Sequence, residues 1–287
     1  HNSKITVVKN DQYWDKDNVK ADKVEMPLID NMSTAVSMFD NGELDFVYNP
    51  PAADTERLEK EGKLRQDKND GTYFYEFNTK VAPFDNPKVR KAFALALNRE
   101  EIIKNVMHGR NTPAYGWVPK GIEDTAAGKD FQEVSGDLFK EDVAEAKKLL
   151  AEAGYPDGQG LPPVTLLYNT NEDHKAIAEA VQEMWKKNLG VNVELQNQEW
   201  KVYLQTRKTG QQQIARAGWV GDYLDPMTFM DYLLSTGTNN YGKYSNPQYD
   251  ALVKQAQQSN DPQVRMKAMH DAEKIAMEDM GVLPVYF

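Results

Sequence analysis

Short runs of hydrophobic residues, rich in β-branched and aromatic side chains, predict that the first quarter of the chain consists mainly of strands. Between the second and third runs the pattern predicts a short helix from Ser33. This helix is expected to end at the Asn41-Gly42 pair, a common signal for a helix terminus. The four predicted strands are ITVVKN, VEMPLI, LDFVYN and TYFYEFN.

After residue 85 the hydrophobic spacing changes to the four-residue intervals of amphipathic helices. Three predicted helices begin at an Asn-Pro or Asp-Pro pair, in which the first residue caps the helix and proline takes its first position. Another helix is predicted from about Lys140 to Ala153. The capping pairs are Asn86-Pro87, Asn246-Pro247 and Asp261-Pro262.

Strands and helices alternate in the second half of the chain. The strand VTLLYN, a helix from Asp173 to Leu189 and the strand VNVELQ follow one another, which is the order of a right-handed parallel crossover. A last helix, from residue 262 to about 279, leads into GVLPVYF, which we expect to be a terminal strand. The pattern therefore predicts an α/β fold, with a domain boundary near residues 78 to 85.

The stretch ARAGWVGDYLDP places charges and an aromatic ring on a segment whose glycines argue against a helix. If it is extended, Arg216, Gly218, Val220 and Asp222 share one face of the strand, and Trp219 lies on the other. A ligand with a positive end and a negative end could lie along such a strand.

Composition and charge narrow the classes of function. The 287 residues are 40% hydrophobic and 27% charged, as in globular proteins, and contain no apolar run near the 18 residues of a membrane span. The net charge of −10 argues against nucleic acid as a partner. The absence of cysteine removes disulfides and zinc–thiolate sites, and no metal or other cofactor is expected. The histidines are scattered: His1, His108, His174 and His270.

Individual residues leave alternatives open. Asp222, Asp225 and Asp231 could form a carboxylate pair for glycoside hydrolysis, although Asp225 precedes a proline and fits an ordinary turn. His174 follows a predicted strand and is either a solvated residue in the first helical turn or a donor to an anionic ligand. Trp200 on its own is more typical of a core than of a pocket wall.

Several segments along the chain are distinctive when taken together and in order. They are NDQYWDKDNVKADKV, FDNGELDFVYN, APFDNPKVRKAFALALNREEII, NTNEDHKAIAEAVQEMWKKNLGVNVELQNQEW, ARAGWVGDYLDPMTF, NNYGKYSNPQYDALV and AEKIAMEDMGVLPVYF. In this order they resemble the oligopeptide-binding proteins of bacterial ABC importers, and the resemblance covers essentially the whole chain. These proteins belong to family 5 of the extracellular solute-binding proteins, which also contains dipeptide and murein-peptide binders.

The resemblance implies a periplasmic-binding-protein-like fold of type II, in which two α/β lobes close over the ligand. Residues 1–78 would be the end of the first lobe, residues 79–275 the second, ligand-binding lobe, and residues 276–287 a strand that crosses back. The family's chains are much longer, so we expect this sequence to be mainly a second lobe. His1 is then expected in an extended approach to the first strand. Phe287 is expected to end on a strand whose neighbours lie outside the chain, with exposed apolar surface nearby.

The resemblance also implies how peptides would be held. Asp222 would pair with the α-ammonium group, and Gly218 and Val220 would offer main-chain groups, so that the peptide adds as a strand. Arg216 would receive the carboxylate of a short peptide, and His174 that of a longer one.

The remaining implied contacts come from other parts of the chain. A basic ligand contact is expected near MHGRNTPAY, where Arg110 is the candidate. Pocket walls are implied at Trp200 and Trp219, hinge-side contacts at Tyr48 and Asn49, and pocket-adjacent positions at Asn169 and Arg207.

The leading hypothesis is therefore a non-catalytic receptor for short peptides. It would be monomeric, would deliver its ligand to the permease subunits of an importer, and would be either periplasmic or lipid-anchored outside the cytoplasmic membrane. A receptor for murein peptides or signalling peptides is the narrower alternative. A carboxylate-dependent hydrolase and a structural or chaperone-like surface protein are the alternatives from other classes.

Overall fold

A five-stranded mixed sheet lies at the centre of the computed structural model, which describes residues 3–287. The strands are β1 (Lys4–Val8), β2 (Lys23–Pro27), β3 (Gly71–Phe77), β4 (Glu123–Asp124), β5 (Lys129–Asp130), β6 (Val164–Asn169), β7 (Val193–Gln198), β8 (Ile214–Val220) and β9 (Leu283–Tyr286). The helices are α1 (Met32–Asp40), α2 (Ala52–Lys60), α3 (Pro87–Leu95), α4 (Arg99–Asn105), α5 (Phe131–Ser135), α6 (Val143–Glu152), α7 (Glu172–Leu189), α8 (Trp200–Thr209), α9 (Met227–Tyr232), α10 (Pro247–Gln258) and α11 (Pro262–Glu278).

The strand order in the central sheet is β7-β6-β8-β3-β9. Strands β7, β6 and β8 run parallel, whereas β3 is antiparallel to both β8 and β9. The pairing of β6 with β7 through α7 confirms the predicted parallel unit. Two smaller sheets, β1-β2 and β4-β5, complete the strand pairing of the described residues.

Local capping signals place the helix starts correctly. Asn86, Asn246 and Asp261 each accept a hydrogen bond from a main-chain N–H of the first turn, and proline follows each of them. The helix predicted from Lys140 begins instead at Val143, because Asp142 is the residue that caps it.

Both faces of the sheet are covered by aromatic and aliphatic side chains. On one face, Tyr75 contacts Trp185 of α7, whose indole donates a hydrogen bond to the main-chain oxygen of Phe93 in α3. On the opposite face, Phe74 packs edge-on against Trp117 and Tyr232. The core is therefore built on β3 as much as on the parallel strands.

One strand predicted in the first quarter of the chain is wrong, and another is confirmed as a strand. The segment LDFVYN is not a strand: it pairs with no strand among residues 3–287, and Asn49 has a positive φ of 51°, which ends any extended run. The segment TYFYEFN forms β3, but β3 is a central strand of the sheet to which residues 79–275 contribute. The strand pairing therefore favours a boundary before β3 rather than at residue 78, and we keep the division into lobes as a proposal.

The expectation for the end of the chain is partly wrong. GVLPVYF does form a strand, β9, but this strand pairs with β3 of the same chain, as the edge strand of the sheet, and Leu283 and Val285 are fully buried. The exposed apolar surface lies instead on the β1-β2 pair, whose residues are all exposed. The expectation for His1 falls outside the described residues.

Candidate functional site

The three parallel strands end at one edge of the sheet. Asn169 ends β6, Gln198 ends β7 and Val220 ends β8, and α7 begins immediately after β6. In open α/β sheets the crevice at the carboxyl ends of the strands is the usual place for a ligand. The polar groups at this edge are therefore the candidates for ligand contacts.

Strands β6 and β8 separate toward this edge. They pair only at Leu166↔Ile214 and Leu167↔Ala215, whereas β8 pairs with β3 along its whole length. From Arg216 onward, the side of β8 that faces β6 therefore has no strand partner among residues 3–287. This opening exposes main-chain groups to which an extended ligand can add.

Arg216 lies at the start of this opening. Its guanidinium stands 4.9 Å from the centre of the Tyr73 ring, and its Nη1 is 3.5 Å from Oδ1 of Asn169. Tyr203 donates a hydrogen bond to the main-chain oxygen of Arg216. A Cβ added at Gly218 would lie 3.4 Å from Nη2 of Arg216, so the glycine leaves room for the guanidinium.

His174 reaches the same region from the first turn of α7. Its ring centre lies 5.6 Å from that of Tyr73. Burial, with a smaller contribution from the charge of Arg216, lowers the pKa of His174 from 6.5 to about 2. The imidazole is therefore neutral at physiological pH and can donate or accept one hydrogen bond without adding a second positive charge.

Unpaired polar atoms concentrate around these two residues. Among residues 3–287, eight buried side-chain nitrogen or oxygen atoms lack a hydrogen-bond partner. Buried polar groups are normally paired, so such a cluster indicates a place where water or a ligand completes the bonding. Five of the atoms belong to side chains at or beside this edge: Tyr73 Oη, Tyr75 Oη, His174 Nδ1, Gln198 Oε1 and Arg216 Nε.

The predicted residues at the end of β8 divide between its faces and the turn that follows. Trp219 lies opposite Arg216, packs against Tyr232 at 5.1 Å between ring centres, and donates a hydrogen bond to Oγ1 of Thr228. Val220 is half-exposed at the strand end. Asp222 lies beyond the strand, which ends two residues earlier, so it does not share the face of Arg216 by strand alternation.

Asp222 and Asp225 have different surroundings. The main-chain N–H of Asp222 donates to Oγ1 of Thr228, while its exposed carboxylate has no hydrogen bond or ion pair within residues 3–287. Both oxygens of Asp225 bind the guanidinium of Arg265 at 2.7 and 2.8 Å, and Oδ1 also accepts a hydrogen bond from the main-chain N–H of Met227. Only Asp222 has a carboxylate available to a ligand.

Arg207, which the resemblance places near the pockets, forms a buried ion pair with Glu76. Its guanidinium is buried and bonds both carboxylate oxygens of Glu76, at 2.7 and 2.9 Å, on the sheet face opposite Arg216. The charge of Glu76 raises the pKa of Arg207 despite burial, which by itself lowers it. The pair stabilises the fold beneath β3 and engages Nε and Nη2 of the guanidinium.

Trp200 begins α8 and is half-exposed, with its ring stacked on Tyr203 at 5.5 Å. Because Tyr203 also contacts the main chain of Arg216, Trp200 lies one ring away from the opening between β6 and β8. Tyr48 is 70% exposed and Asn49 is exposed beside it, so neither residue is brought into contact with Arg216 or His174.

Arg110 does reach the edge of the site. Its Nη2 binds Oδ2 of Asp173 at 2.8 Å, and its Nη1 donates to the main-chain oxygen of Pro50 at 3.1 Å. Its charge is therefore already paired with that of Asp173, one residue before His174.

Sequence reasoning missed Tyr73 and Tyr286. Their rings stack at 4.6 Å between centres and form the aromatic wall behind His174 and Arg216. Burial raises the pKa of Tyr73 to about 12, so its hydroxyl keeps its proton. The segments TYFYEFN and GVLPVYF were predicted only as strands, and the register of β3 with β8 and β9 places Tyr73 and Tyr286 at the site.

Other kinds of site receive no support from the described residues. No group of three or more His, Asp or Glu side chains within residues 3–287 is placed to hold a metal ion. None of the helices in this part of the chain combines the length and apolar character that a membrane crossing requires.

A family model for the bacterial extracellular solute-binding proteins, family 5 (middle region), matches residues 1–241. The chain belongs to this family. Among its curated relatives, the oligopeptide-binding protein OppA of Bacillus subtilis is 42% identical over 300 residues, an alignment that covers 100% of this chain and 53% of the relative. The chain thus spans about half the length of the curated relatives it matches.

Solved structures of family 5 members share the fold. The complex of Haemophilus influenzae OppA with the peptide RPPGFSPFR matches with a TM-score of 0.87 at 37% identity, covering 99% of this chain and 56% of that one. The Escherichia coli murein tripeptide-binding protein MppA matches with a TM-score of 0.88 at 36% identity, over 99% and 56%. The unliganded open form of MppA matches less well, with a TM-score of 0.70 at 36% identity, over 99% and 55%. These matches confirm the resemblance and the periplasmic-binding-protein-like α/β fold.

Proposed function

We propose that the full-length protein captures short peptides by their termini and main chain and delivers them to the membrane permease subunits of an ABC importer. The observation that carries this proposal is the opening between β6 and β8. There, from Arg216 onward, the side of β8 that faces β6 lacks a strand partner within residues 3–287. Arg216 has an unpaired buried Nε, and the carboxylate of Asp222 in the following turn is unpaired within the same residues.

Each part matches one feature that all peptides share. The carboxylate of Asp222 suits an α-ammonium group, the unpaired side of β8 suits the amides, and Arg216 with neutral His174 suits an α-carboxylate. Side chains would then contribute little, because they point away from a ladder of main-chain hydrogen bonds. Trp200 and Trp219 remain our proposed pocket walls, Asn169 a partner of Arg216, and Tyr48 and Asn49 contacts made from the other lobe.

The proposal places the protein outside the cytoplasm as a monomer that binds without chemical turnover and without a cofactor. Relatives named periplasmic oligopeptide-binding proteins support the location, while a lipid anchor is the alternative. The similarity to MppA makes murein tripeptide the second ligand class to test. A hydrolase built on Asp222 and Asp225 loses its support, because Arg265 occupies both oxygens of Asp225.

Isothermal titration of the full-length protein with trialanine and N-acetyl-trialanine tests the ammonium contact. We expect Asp222→Ala to weaken binding of the free peptide by about 2–5 kcal/mol, because a buried ammonium would lose its partner. Acetylation should cause a similar loss and add little to that of Asp222→Ala, since both remove one interaction. Asp225→Ala is the matched control and should leave affinity within about threefold, or about 0.7 kcal/mol. Equal affinity for free and acetylated peptide would refute the ammonium contact.

Peptide length tests the other end of the site. We expect Arg216→Ala to weaken binding of the shortest peptides most, and His174→Ala to weaken binding of longer ones, because the family resemblance implies that Arg216 receives the carboxylate of short peptides and His174 that of longer ones. Titration of di- to pentaalanine against both variants measures this. If both variants lose affinity equally at every length, neither residue selects the position of the ligand carboxylate.

A further inference from the structure

The first two residues of α7 are acidic and contact two other helices at their amino ends. Glu172 accepts hydrogen bonds from Nδ2 of Asn31 at 2.7 Å and from Oγ of Ser33 at 2.9 Å, at the start of α1. Asp173 Oδ1 accepts from the main-chain N–H of Ala52, the first residue of α2, at 3.0 Å. Negative charges are favoured at helix amino termini, so both acids stabilise this arrangement.

Arg110 completes the group from the other side. It binds Oδ2 of Asp173 at 2.8 Å and the main-chain oxygen of Pro50 at 3.1 Å, so it joins α7 to the residues just before α2. The ion pair is largely shielded, with 19% and 24% of the two side chains exposed. A shielded, hydrogen-bonded pair is held more firmly than an exposed one.

These contacts account for the attachment of a whole segment. Within residues 3–287, the hydrogen bonds between residues 29–63 and residues 70–287 are four, and each involves Glu172, Asp173 or Arg110. The other polar side-chain contacts of residues 29–63, such as the ion pairs of Arg57 with Asp40 and Glu61, lie inside the segment. All the hydrogen bonds that attach α1 and α2 to residues 70–287 therefore involve three side chains, beside the apolar packing of Ala52 in the main core.

The same three side chains adjoin the candidate site. His174 directly follows Asp173, and its ring contacts Tyr73, which stacks on Tyr286. The charges of Asp173 and Arg110 both act on Tyr286, as does that of Arg216. A ligand group at His174 is therefore one residue away, in sequence, from Asp173, which holds α2. A ligand group at Arg216 is separated from His174 by the ring of Tyr73, which both side chains contact.

We propose that Glu172, Asp173 and Arg110 form a latch that holds α1 and α2 against the amino end of α7, and that the latch and the peptide site are coupled through His174. The coupling rests on the proposed peptide-binding function, whereas the latch itself does not. Its residues are positioning residues: they do not contact the ligand, but they set whether the segment lies over the site. Closing the latch slows the release of a bound peptide, and opening it frees the segment.

Two isosteric variants of the full-length protein, Glu172→Gln and Asp173→Asn, test the latch. Each keeps the size of its side chain but removes the charge, so each loses at least one acceptor oxygen. Glu183→Gln is the matched control, because Glu183 is exposed on the same helix and has no hydrogen bond or ion pair within residues 3–287. Spin labels are attached at engineered cysteines replacing Glu59 in α2 and Lys187 in α7, both exposed, in full-length protein from which any cysteine outside these 287 residues has been removed.

Pulsed electron spin resonance without peptide should show a broader and longer label-to-label distance in both variants than in the wild type and the control. Stopped-flow release of trialanine should be about tenfold faster in both variants, with little change in the association rate, since stability of a closed state acts mainly on dissociation. Asp173→Glu should restore part of the wild-type distance.

Unchanged distances in both variants would overturn the latch. Altered distances with unchanged release rates would overturn its coupling to the site. If the wild type binds no peptide at all, the proposed function fails, while the distance measurement still decides the latch.

Discussion

His174 shows how one residue can report on its surroundings. Burial, and to a smaller extent the charge of Arg216, lowers the pKa of His174 from 6.5 to about 2. Between these two pH values the imidazole is therefore neutral in the folded protein and protonated in the unfolded chain. The stabilising contribution is therefore present above pH 6.5 and is lost progressively as the pH falls below it.

Replacement of His174 should remove this dependence. We expect His174→Gln to lose less stability than the wild type between pH 7 and pH 5, because glutamine does not titrate. Urea unfolding followed by circular dichroism at both pH values measures the difference. An identical loss in wild type and variant would mean that the imidazole is solvated and protonated in the folded protein.

At the scale of elements, one buried carboxylate joins α11 to two other parts of the chain. Glu273 Oε1 accepts from the main-chain N–H groups of Trp117 and Val118, and Oε2 contacts Oγ of Ser135 at the end of α5. Ser135 Oγ also contacts His270 Nδ1, and His270 Nε2 contacts Asp124. The serine has one hydroxyl proton for two neighbours, so one of them must supply another proton.

Burial raises the pKa of Glu273 from its ordinary value of 4.5, against the opposing effect of its hydrogen bonds and the nearby His270. The folded state therefore holds this proton to a higher pH than the unfolded chain does. Stability from this group is greatest below pH 4.5 and falls as the pH rises through the folded pKa.

We expect Glu273→Ala to lower the free energy of unfolding by about 3–5 kcal/mol, because it leaves two buried N–H groups unpaired. Glu273→Gln should cost much less, since its oxygen still accepts both N–H groups and its amide can donate to Ser135. The glutamine variant should also show a flatter dependence of stability on pH above 4.5. Denaturant unfolding of the three proteins checks this, and equal losses for Ala and Gln would show that the charge itself stabilises the fold.

The elements that sequence reasoning placed correctly are those with local signals. A capping side chain followed by proline marks a helix start within a single turn, as it does at Asn86, Asn246 and Asp261. LDFVYN has the composition of a strand, but a strand also needs a partner, and the composition of a segment does not reveal one. The short helix α2 was missed because its sequence, AADTERLEK, is mostly polar and Leu58 is its one large apolar residue.

The candidate site divides in the same way. Alternation along β8 put Arg216 and Trp219 on opposite faces, as the structure shows. It could not show that the strand stops before Asp222, nor that Arg207 is paired with Glu76, a partner 131 residues away in sequence. Tyr286 reaches the site only through the pairing of β9 with β3.

At the scale of the whole molecule, the chain combines a well-packed sheet with a strand pair that packs much less. Residues of β3 from Thr72 to Phe77 are all buried, whereas every residue of β1 and β2 is exposed. A two-stranded pair without a packed face is only marginally stable in water, because its hydrogen bonds are open to solvent and it buries little apolar area. The two parts should therefore open independently.

Native-state hydrogen exchange on the 287-residue chain measures this difference. We expect the amides of β1 and β2 to exchange roughly 1,000-fold faster than those of β3 and β8, a ratio that corresponds to about 4 kcal/mol between local and global opening. The amides of β6 and β7 are the internal control and should follow β3, since they share its sheet. In the full-length protein, slower exchange in β1 and β2 alone would show that further chain covers Ile5, Val7 and Val24. Equal protection of β1 and β3 in the 287-residue chain would instead mean that the pair is held by contacts within this chain, and the independence of the two parts would be wrong.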